Sequence, residues 1–390
     1  MSDVTVSVGY IPLVDAAPLI IAEEMGFARN EGVHLDLVRA PSWSSVRDML
    51  AFGRVDAAHL LSPIPVAMAL GLGGVATPIS AVAVLSVNGN AIGVSNALAG
   101  RLRDAGYGFD FADAGAAGAA LLSAIDGPLR FGVPFPFSMH HEILRYWFQA
   151  VGWPADRAEI HTVPPPLMAD ALAAGEVDAF CVGEPWGSIA VERGIASLLL
   201  PGSAIWRFAP EKVLAVRTDW AETEPSLLGR IMRATWNAGR WLSVPANAVV
   251  AAEILARPDY LRMAPEIIDR SLSGHLTITP QGDQRATPGF LEFHDGAASF
   301  PWRSQAAWIA EQVARRAGLD PTQASRKARH VFRSDLYRHH LAPTGAPMPG
   351  ASSKLEGSIR QPTPVASESG RLFLQPDGFF DGRIFDPGPA

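Results

Sequence analysis

The sequence predicts an α/β protein of two lobes with a ligand-binding crevice between them, and three observations support this prediction. Short apolar strands alternate with amphipathic helices in the N-terminal third, the same alternation returns near residue 90, and a long helical region follows residue 200. With 390 residues and 48% hydrophobic content, the chain can fill more than one core. A globular protein is therefore predicted.

The first lobe is predicted to start with residues 1–87, in βαβαβ order. Its predicted strands are 4–8, 34–38 and 56–60, and its predicted helices are 16–25, 43–52 and one that starts at 62 or 63. This order predicts a parallel sheet whose strand ends face the crevice. Residues 57–100 carry no Asp, Glu, Lys or Arg. Because prolines and glycines interrupt this run too often for a membrane span, a buried helix followed by central strands is predicted.

Residues 88–200 are predicted to form the second lobe, and residues 201–341 to return to the first lobe and add C-terminal helices. The apolar runs 81–87 and 213–216 are predicted to be strands that flank the hinge. Residues 342–390 are rich in Pro, Ser and Gly, which predicts an extended or mobile strap. The candidate anchors of its far end are Phe373, Phe379, Phe380 and Phe385.

Composition excludes several classes of function. The net charge of −7 disfavours attraction to nucleic acid or anionic lipid, and the single cysteine, Cys181, excludes an intrachain disulfide. Asp3 and the alternating valines after it do not resemble an export signal, so a cytoplasmic location is expected. GxSxG, P-loop and HExxH motifs are absent, and neither pair of adjacent histidines can easily share one metal. No enzyme activity, cofactor or metal site is therefore predicted.

Trp43 and Ser44 lie in the first turn of a predicted helix, directly behind Ser42. Free backbone N–H groups and the positive end of the helix dipole make such a turn a candidate anion site. A capped helix with a packed tryptophan accounts for the same residues. The local sequence leaves both interpretations open.

Two further candidate groups lie beside predicted strands and helices. Gly89 lets the backbone approach a ligand closely and Asn90 can donate from its amide, although a simple turn explains the same pattern. His140 lies in the first turn of a predicted helix, where its ring can donate to an anion, although a lone histidine is more often structural. All three are candidates for the wall of the crevice.

Lys212 and Glu184 are the charged candidates. Only three of the 32 basic residues are lysines, and Lys212 starts an apolar strand near the second hinge run. Its ammonium is either the counter-charge of a buried monoanion, which would be costly to leave unpaired, or a solvated strand end. Glu184 precedes a proline at a helix start, which is ordinary capping chemistry, and it is also a candidate for a cleft wall or a latch between lobes.

Six runs of sequence, taken in order, resemble one family. They are GFARNEGVHLDLV (26–38), SWSSVRDML (42–50), NGNAI (88–92), MHHEILRYW (139–147), VDAFCVGEPW (177–186) and PEK (210–212). Together they resemble the nitrate- and bicarbonate-binding proteins of bacterial ABC transporters, from residue 4 to about 315. The resemblance implies a type II periplasmic-binding-protein fold, with an oxyanion held between two hinged lobes.

By motif, the resemblance implies that nitrate is contacted by Trp43, Asn90, His140 and Lys212. Asn90 stands where the family has Gln, which shortens the donor by one methylene. A planar anion with only acceptor oxygens suits a shell of donors, whereas bicarbonate also requires an acceptor for its hydroxyl, for which Glu184 is the nearest candidate. Nitrate or nitrite is therefore expected ahead of bicarbonate.

The expected cytoplasmic location narrows the resemblance to NasS-type nitrate/nitrite sensors. Such sensors hold an RNA-binding ANTAR-type antiterminator (NasT-like) inactive until the anion binds, which implies a protein partner rather than nucleic acid or a membrane. Two rival functions stay open: a receptor of a nitrate or bicarbonate ABC transporter, and an enzyme on the same fold that consumes its own active-site residues. The enzyme would need a cluster of Cys and His, which a single cysteine disfavours.

Overall fold

Strands and helices alternate through residues 4–88. A computed structural model describes residues 4–367 and 370–388 of the chain. Ser42 begins the third helix, because its side chain accepts a hydrogen bond from the backbone N–H of Ser45. The elements of this segment are β1 (Val4–Tyr10), α1 (Ala17–Glu24), α2 (Phe27–Asn30), β2 (Val33–Arg39), α3 (Trp43–Ala51), β3 (Ala57–Leu61), α4 (Pro63–Ala69) and β4 (Ile79–Asn88).

A second series of strands and helices follows Gly89. Ser138 accepts from the N–H of His141 and so caps α7, the helix that carries His140. Asp113 caps α6 in the same way, so the Ala-rich run at 112–124 contains a capped helix. The elements are β5 (Asn90–Ser95), α5 (Asn96–Asp104), α6 (Ala114–Ser123), β6 (Leu129–Val133), α7 (Met139–Ala150), β7 (Ala158–Thr162), α8 (Met168–Ala173), β8 (Ala179–Gly183), α9 (Trp186–Glu192) and β9 (Ala196–Pro201).

The remaining segment is mainly helical. It begins with a buried strand, and its longest helix packs against α1. Its elements are β10 (Pro210–Arg217), α10 (Thr218–Thr223), α11 (Pro225–Leu242), α12 (Ala248–Leu255), α13 (Pro265–Ser273), β11 (His275–Thr277), β12 (Gln284–Ala286), β13 (Leu291–Glu292), α14 (Arg303–Ala317), α15 (Pro321–Ala328), α16 (Ser334–Leu341), β14 (Thr363–Val365) and β15 (Leu372–Leu374).

In the described part of the chain, the main strands form two sheets, one in each lobe. The first has the order β13-β4-β10-β3-β1-β2 and the second the order β7-β6-β8-β5-β9. The predicted parallel pairing is present between β1, β2 and β3, but β10 runs antiparallel to both β3 and β4. The reason is geometric: β4 leaves the first sheet for the second and β10 returns, so the two strands run in opposite directions.

The chain crosses between the sheets at two adjacent places. The first crossing is at residues 88–90, where Asn88 and Gly89 both have positive φ. The second follows β9, and Asn88 ties the two together because its amide donates to the carbonyl of Arg207 and its Oδ1 accepts from the N–H of Ala209. The crossings therefore form one hydrogen-bonded connection rather than two independent linkers.

The segment after residue 341 is packed on the body over much of its length, which agrees with the extended rather than the mobile form of the predicted strap. Phe379 is buried and stacks on Trp206 and Trp308. Tyr146 on α7 donates to Oδ1 of Asp381 at 2.8 Å, so the segment also contacts the second lobe. The prediction that Phe373 anchors this segment is wrong, because its side chain is 49% exposed.

The described residues contain neither a membrane-spanning helix nor a metal-binding group of side chains. Across 4–367 and 370–388, no helix combines the length and apolar character that a membrane span requires. In the same residues, no three or more His, Cys, Asp or Glu side chains are grouped so as to hold a metal ion.

Candidate functional site

Side chains from both lobes meet in a buried group between the two sheets. Each lies on or directly beside a strand or helix of the core, and none is more than 2% exposed. Backbone contacts close the lobes at the same place, since the N–H of Val14 donates to the carbonyl of Glu184 at 3.0 Å. We call this group the interlobe cluster: Asp15, Trp43, His59, Asn90, His140, Glu211 and Lys212.

Lys212 lies between two carboxylates at the centre of the cluster. Its Nζ is 2.7 Å from Oδ2 of Asp15 and 2.9 Å from Oε1 of Glu211. The ammonium also lies 5.4 Å from the centre of the Trp43 ring. Burial alone would lower the pKa of Lys212, but the two carboxylates outweigh it and raise that pKa, so the side chain is an ammonium.

Two side chains of the second lobe lie beside the carboxylate of Glu211. Asn90 donates from Nδ2 to Oε2 of Glu211 at 2.7 Å, and Nδ1 of His140 is 3.2 Å from Oε1. Gly202 leaves room for the amide of Asn90, because a Cβ at residue 202 would lie 2.0 Å from Oδ1 of Asn90. The Glu211 side chain therefore joins the lobes through a hydrogen bond from β5 and a close approach to His140 on α7.

Asp15 and His59 form the other side of the cluster. Nε2 of His59 lies 3.0 Å from Oδ1 of Asp15, and the His59 ring is 5.6 Å from the ring of Trp43. Burial would raise the pKa of Asp15, but Lys212 and His59 outweigh it and hold that pKa at about 2. Burial lowers the pKa of His59 and of His140, so both imidazoles are neutral at pH 7.

An irregularity in β10 lets two adjacent charged residues reach the cluster. In a regular strand, Glu211 and Lys212 would point to opposite faces of the sheet. The pairing of β10 with β4 shifts register on both sides of Lys212, as at a β-bulge. A bulge bends the strand and changes the direction of its side chains, so both can face Asp15 and the second lobe.

The structure brings together Trp43, Asn90, His140 and Lys212, which come from separate parts of the sequence. The other three candidates have internal contacts. The Oγ of Ser44 lies 2.9 Å from the Oγ of Ser42, and the N–H of Gly89 already donates to the carbonyl of Phe290. Glu184 accepts from the N–H of Ser188 on its own helix, and burial raises its pKa to about 7. For these three, a direct ligand contact stays a prediction.

Sequence reasoning missed Asp15, His59 and Glu211. Two of them could have been recognised in the sequence. His59 interrupts an apolar strand, and Glu211 is a second charged residue beside Lys212 at the start of β10. A polar or charged side chain in a buried strand requires a partner, so each implied a further group nearby. The alternative of a solvated strand end is wrong for Lys212, because its side chain is fully buried and pairs with both carboxylates.

Five ring nitrogens in the cluster have no hydrogen-bond partner among residues 4–367 and 370–388. They are Nε1 of Trp43 and both ring nitrogens of His59 and of His140, and all are buried. Buried polar groups in folded proteins are nearly always hydrogen-bonded. The indole N–H can only donate, so its partner must be an acceptor. The cluster thus has the chemistry to hold a small group with acceptor oxygens.

Comparison with known proteins is consistent with this arrangement. The sequence profile of the NMT1-like family matches residues 2–256. The chain is 32% identical to the nitrate/nitrite binding protein NrtA of Synechococcus elongatus, over 98% of this chain and 83% of that protein. It is 31% identical to the nitrate import ATP-binding protein NrtC of Synechocystis, over 99% of this chain, but spans only 54% of that protein.

A solved structure shows the same architecture. The crystal structure of the periplasmic nitrate-binding protein NrtA from Synechocystis superposes with a TM-score of 0.83 at 26% sequence identity, covering 99% of this chain and 96% of that one. The predicted two-lobed periplasmic-binding-protein fold is therefore confirmed.

Proposed function

Because the chain belongs to the NMT1-like family and groups polar side chains of both lobes around one buried lysine, we propose that it binds nitrate or nitrite between its lobes. The observation that carries the proposal is the interlobe cluster itself, in which Trp43, Asn90, His140 and Lys212 converge. The relatives named as nitrate-binding proteins support binding rather than catalysis.

The donors of the cluster favour nitrate or nitrite over bicarbonate. An ammonium, an indole N–H and an amide can all donate, and the oxygens of nitrate and nitrite can only accept. Bicarbonate carries a hydroxyl that requires an acceptor. Glu184, the candidate for that role, binds the N–H of Ser188 through Oε2, while its buried Oε1 has no hydrogen-bond partner in the described residues. Its raised pKa, about 7, also makes it a weaker acceptor at neutral pH.

Anion binding is proposed to favour the closed arrangement of the lobes. Trp43 and Lys212 belong to the first lobe, whereas Asn90 and His140 belong to the second. An anion can therefore touch all four side chains only when the two lobes are closed. A ligand shifts a conformational equilibrium only by the difference between its affinities for the two states. Contacts that form only in the closed state make the affinity for that state higher than the affinity for the open state.

Nitrate and nitrite are expected to stabilise the folded protein against heat. A ligand present at 100 times its dissociation constant adds about 2.7 kcal/mol to the free energy of unfolding. The measurement is a thermal unfolding series with nitrate, nitrite, bicarbonate and sulfate, with chloride at equal ionic strength as the control. A midpoint raised by sulfate or bicarbonate, but not by nitrate or nitrite, would contradict the proposed ligand.

We propose in addition that the protein works in the cytoplasm as a NasS-type sensor that controls an ANTAR-type antiterminator (NasT-like) through ligand-dependent complex formation. The sequence runs that resemble nitrate- and bicarbonate-binding proteins support nitrate or nitrite as the signal in this proposal. The test mixes the two proteins and follows their complex by size-exclusion chromatography. Release of the antiterminator by nitrate or nitrite is expected, and a complex that the anions do not change would refute the regulatory role.

The alternative function is that of a receptor for a nitrate or bicarbonate ABC transporter. It is favoured by the similarity to NrtC, which is named an import ATP-binding protein, and to an NrtA that is named periplasmic. Cell fractionation of the native host separates the two proposals. Recovery from the periplasm would favour the receptor, whereas recovery from the cytoplasm would favour the sensor.

A further inference from the structure

The carboxylate of Glu211 lies among the donors that the proposed oxyanion requires. Asn90 donates to its Oε2, and Lys212 and His140 both lie beside its Oε1, at 2.9 and 3.2 Å. An ionised carboxylate is planar, carries one negative charge and only accepts hydrogen bonds. Nitrate and nitrite share these properties. Glu211 and the anion therefore compete for the same side chains.

The cluster also carries an excess of negative charge. Lys212 supplies one positive charge, Asp15 and Glu211 supply two negative charges, and the two imidazoles are neutral, so the net charge is −1. A second uncompensated negative charge in so buried a place would cost several kcal/mol. A monoanion therefore requires a compensating positive charge when it binds.

We propose that the site binds its oxyanion together with one proton, which Glu211 accepts, so that the anion replaces the Glu211 carboxylate as the second partner of Lys212. This inference rests on the proposed function. The proton comes from solvent and no covalent bond changes except the new O–H bond of Glu211. The net charge of the cluster is then the same before and after binding, and Asn90 can still donate to the neutral carboxyl.

The same proton converts His140 into a donor for the anion. Nδ1 of His140 lies 3.2 Å from Oε1 of Glu211 but is not aligned for a hydrogen bond. A neutral ring that keeps its hydrogen on Nδ1, facing this carboxylate, has an unprotonated Nε2, which is an acceptor and disfavours an oxyanion. A protonated Glu211 can instead donate to Nδ1, and the ring then carries its hydrogen on Nε2. That atom is buried and has no partner in the described ranges, so it becomes available to the anion.

Glu211 is the carboxyl that accepts the proton, because its surroundings differ from those of Asp15. The charged, titratable and hydrogen-bonding groups that face it come from six elements or turns: Asp15, His59, Asn90, His140, Cys181 and Lys212. Burial raises the pKa of Glu211, and Lys212 only partly offsets this because Asp15 acts in the other direction. Asp15, with its pKa held at about 2, stays ionised.

The first test counts protons in the wild-type protein. Calorimetric titrations with nitrate and nitrite, in buffers of different ionisation enthalpy across neutral and alkaline pH, are expected to show uptake of one proton per anion. Linkage then predicts that affinity falls about tenfold for each unit that the pH rises above the pKa of Glu211. Binding without proton uptake would overturn the inference.

The second test replaces Glu211 with its neutral isostere. Glu211→Gln is expected to bind nitrate at least about tenfold tighter than the wild type at alkaline pH, without proton uptake and with a flat pH profile. The matched control is Glu356→Gln, since Glu356 is equally buried and, with Asp377, flanks Lys354 rather than Lys212. The control is expected to keep the wild-type affinity and pH slope.

The outcomes separate this inference from the proposed function. If Glu211→Gln binds nitrate with the wild-type affinity and pH slope, the inference fails while the proposed function stands. If neither protein binds nitrate or nitrite at any pH, the proposed function fails and the inference with it. Should the variant not fold, the proton count of the wild-type protein decides alone.

Discussion

Replacing Lys212 with alanine is expected to remove roughly 3–5 kcal/mol of nitrate affinity, the usual cost of leaving one buried charge without its partner. The ammonium is fully buried at the centre of the interlobe cluster and supplies the positive charge of the proposed site. Without it, an anion would face Asp15 and Glu211 directly. Isothermal titration calorimetry of the wild type and the variant with nitrate measures the loss.

Lys354→Ala is the control for this prediction, because Lys354 is also a largely buried lysine between two carboxylates, Glu356 and Asp377. Both variants leave two buried acids without their ammonium, so both are expected to unfold at lower temperature. Only the variant at 212 is expected to lose nitrate affinity. Equal nitrate binding by the two variants would refute the assignment of Lys212, and Lys212→Met keeps the volume of the side chain if the alanine variant does not fold.

Phe379→Ala is expected to lower the free energy of unfolding by about 3–5 kcal/mol, the range for removing a buried aromatic side chain. Phe379 is 3% exposed and lies 4.8 Å from Trp206 and 5.9 Å from Trp308, measured between ring centres. The change would leave a cavity between the C-terminal segment, the second crossing and α14. Chemical denaturation followed by tryptophan fluorescence measures the effect.

The matched control lies six residues earlier in the same segment. Phe373→Ala removes an identical but exposed side chain, and a change of no more than about 0.5 kcal/mol is expected. If the two variants unfold alike, the C-terminal segment does not stabilise the body in the way that its contacts indicate.

Hydrophobic patterning made much of the fold predictable. The predicted strand 34–38 lies within β2 (Val33–Arg39), and the predicted helix 43–52 differs from α3 (Trp43–Ala51) by one residue, because each has a regular apolar pattern. The two-residue strand β13 has no such pattern and exists through its pairing with β4. Burial of the C-terminal segment likewise depends on distant partners such as Trp206, which composition does not reveal.

The cluster was predictable in part. Trp43, Asn90, His140 and Lys212 are indicated by the ordered resemblance to a family, and the structure groups them. The pairing of Lys212 with Asp15 is different, because 197 positions of sequence separate the two residues and only the packing of the turn before α1 against β10 brings them together. The direction of the Glu211 side chain depends on a local irregularity of β10, for which the sequence has no signal.

The most direct test of the account is a crystal structure of the protein grown with nitrate. The account predicts one nitrate inside the interlobe cluster, with an oxygen at hydrogen-bonding distance, about 2.7–3.2 Å, from Nζ of Lys212 and another from Nε1 of Trp43. Nitrate bound outside the cluster, with Lys212 still held between the carboxylates of Asp15 and Glu211, would contradict it.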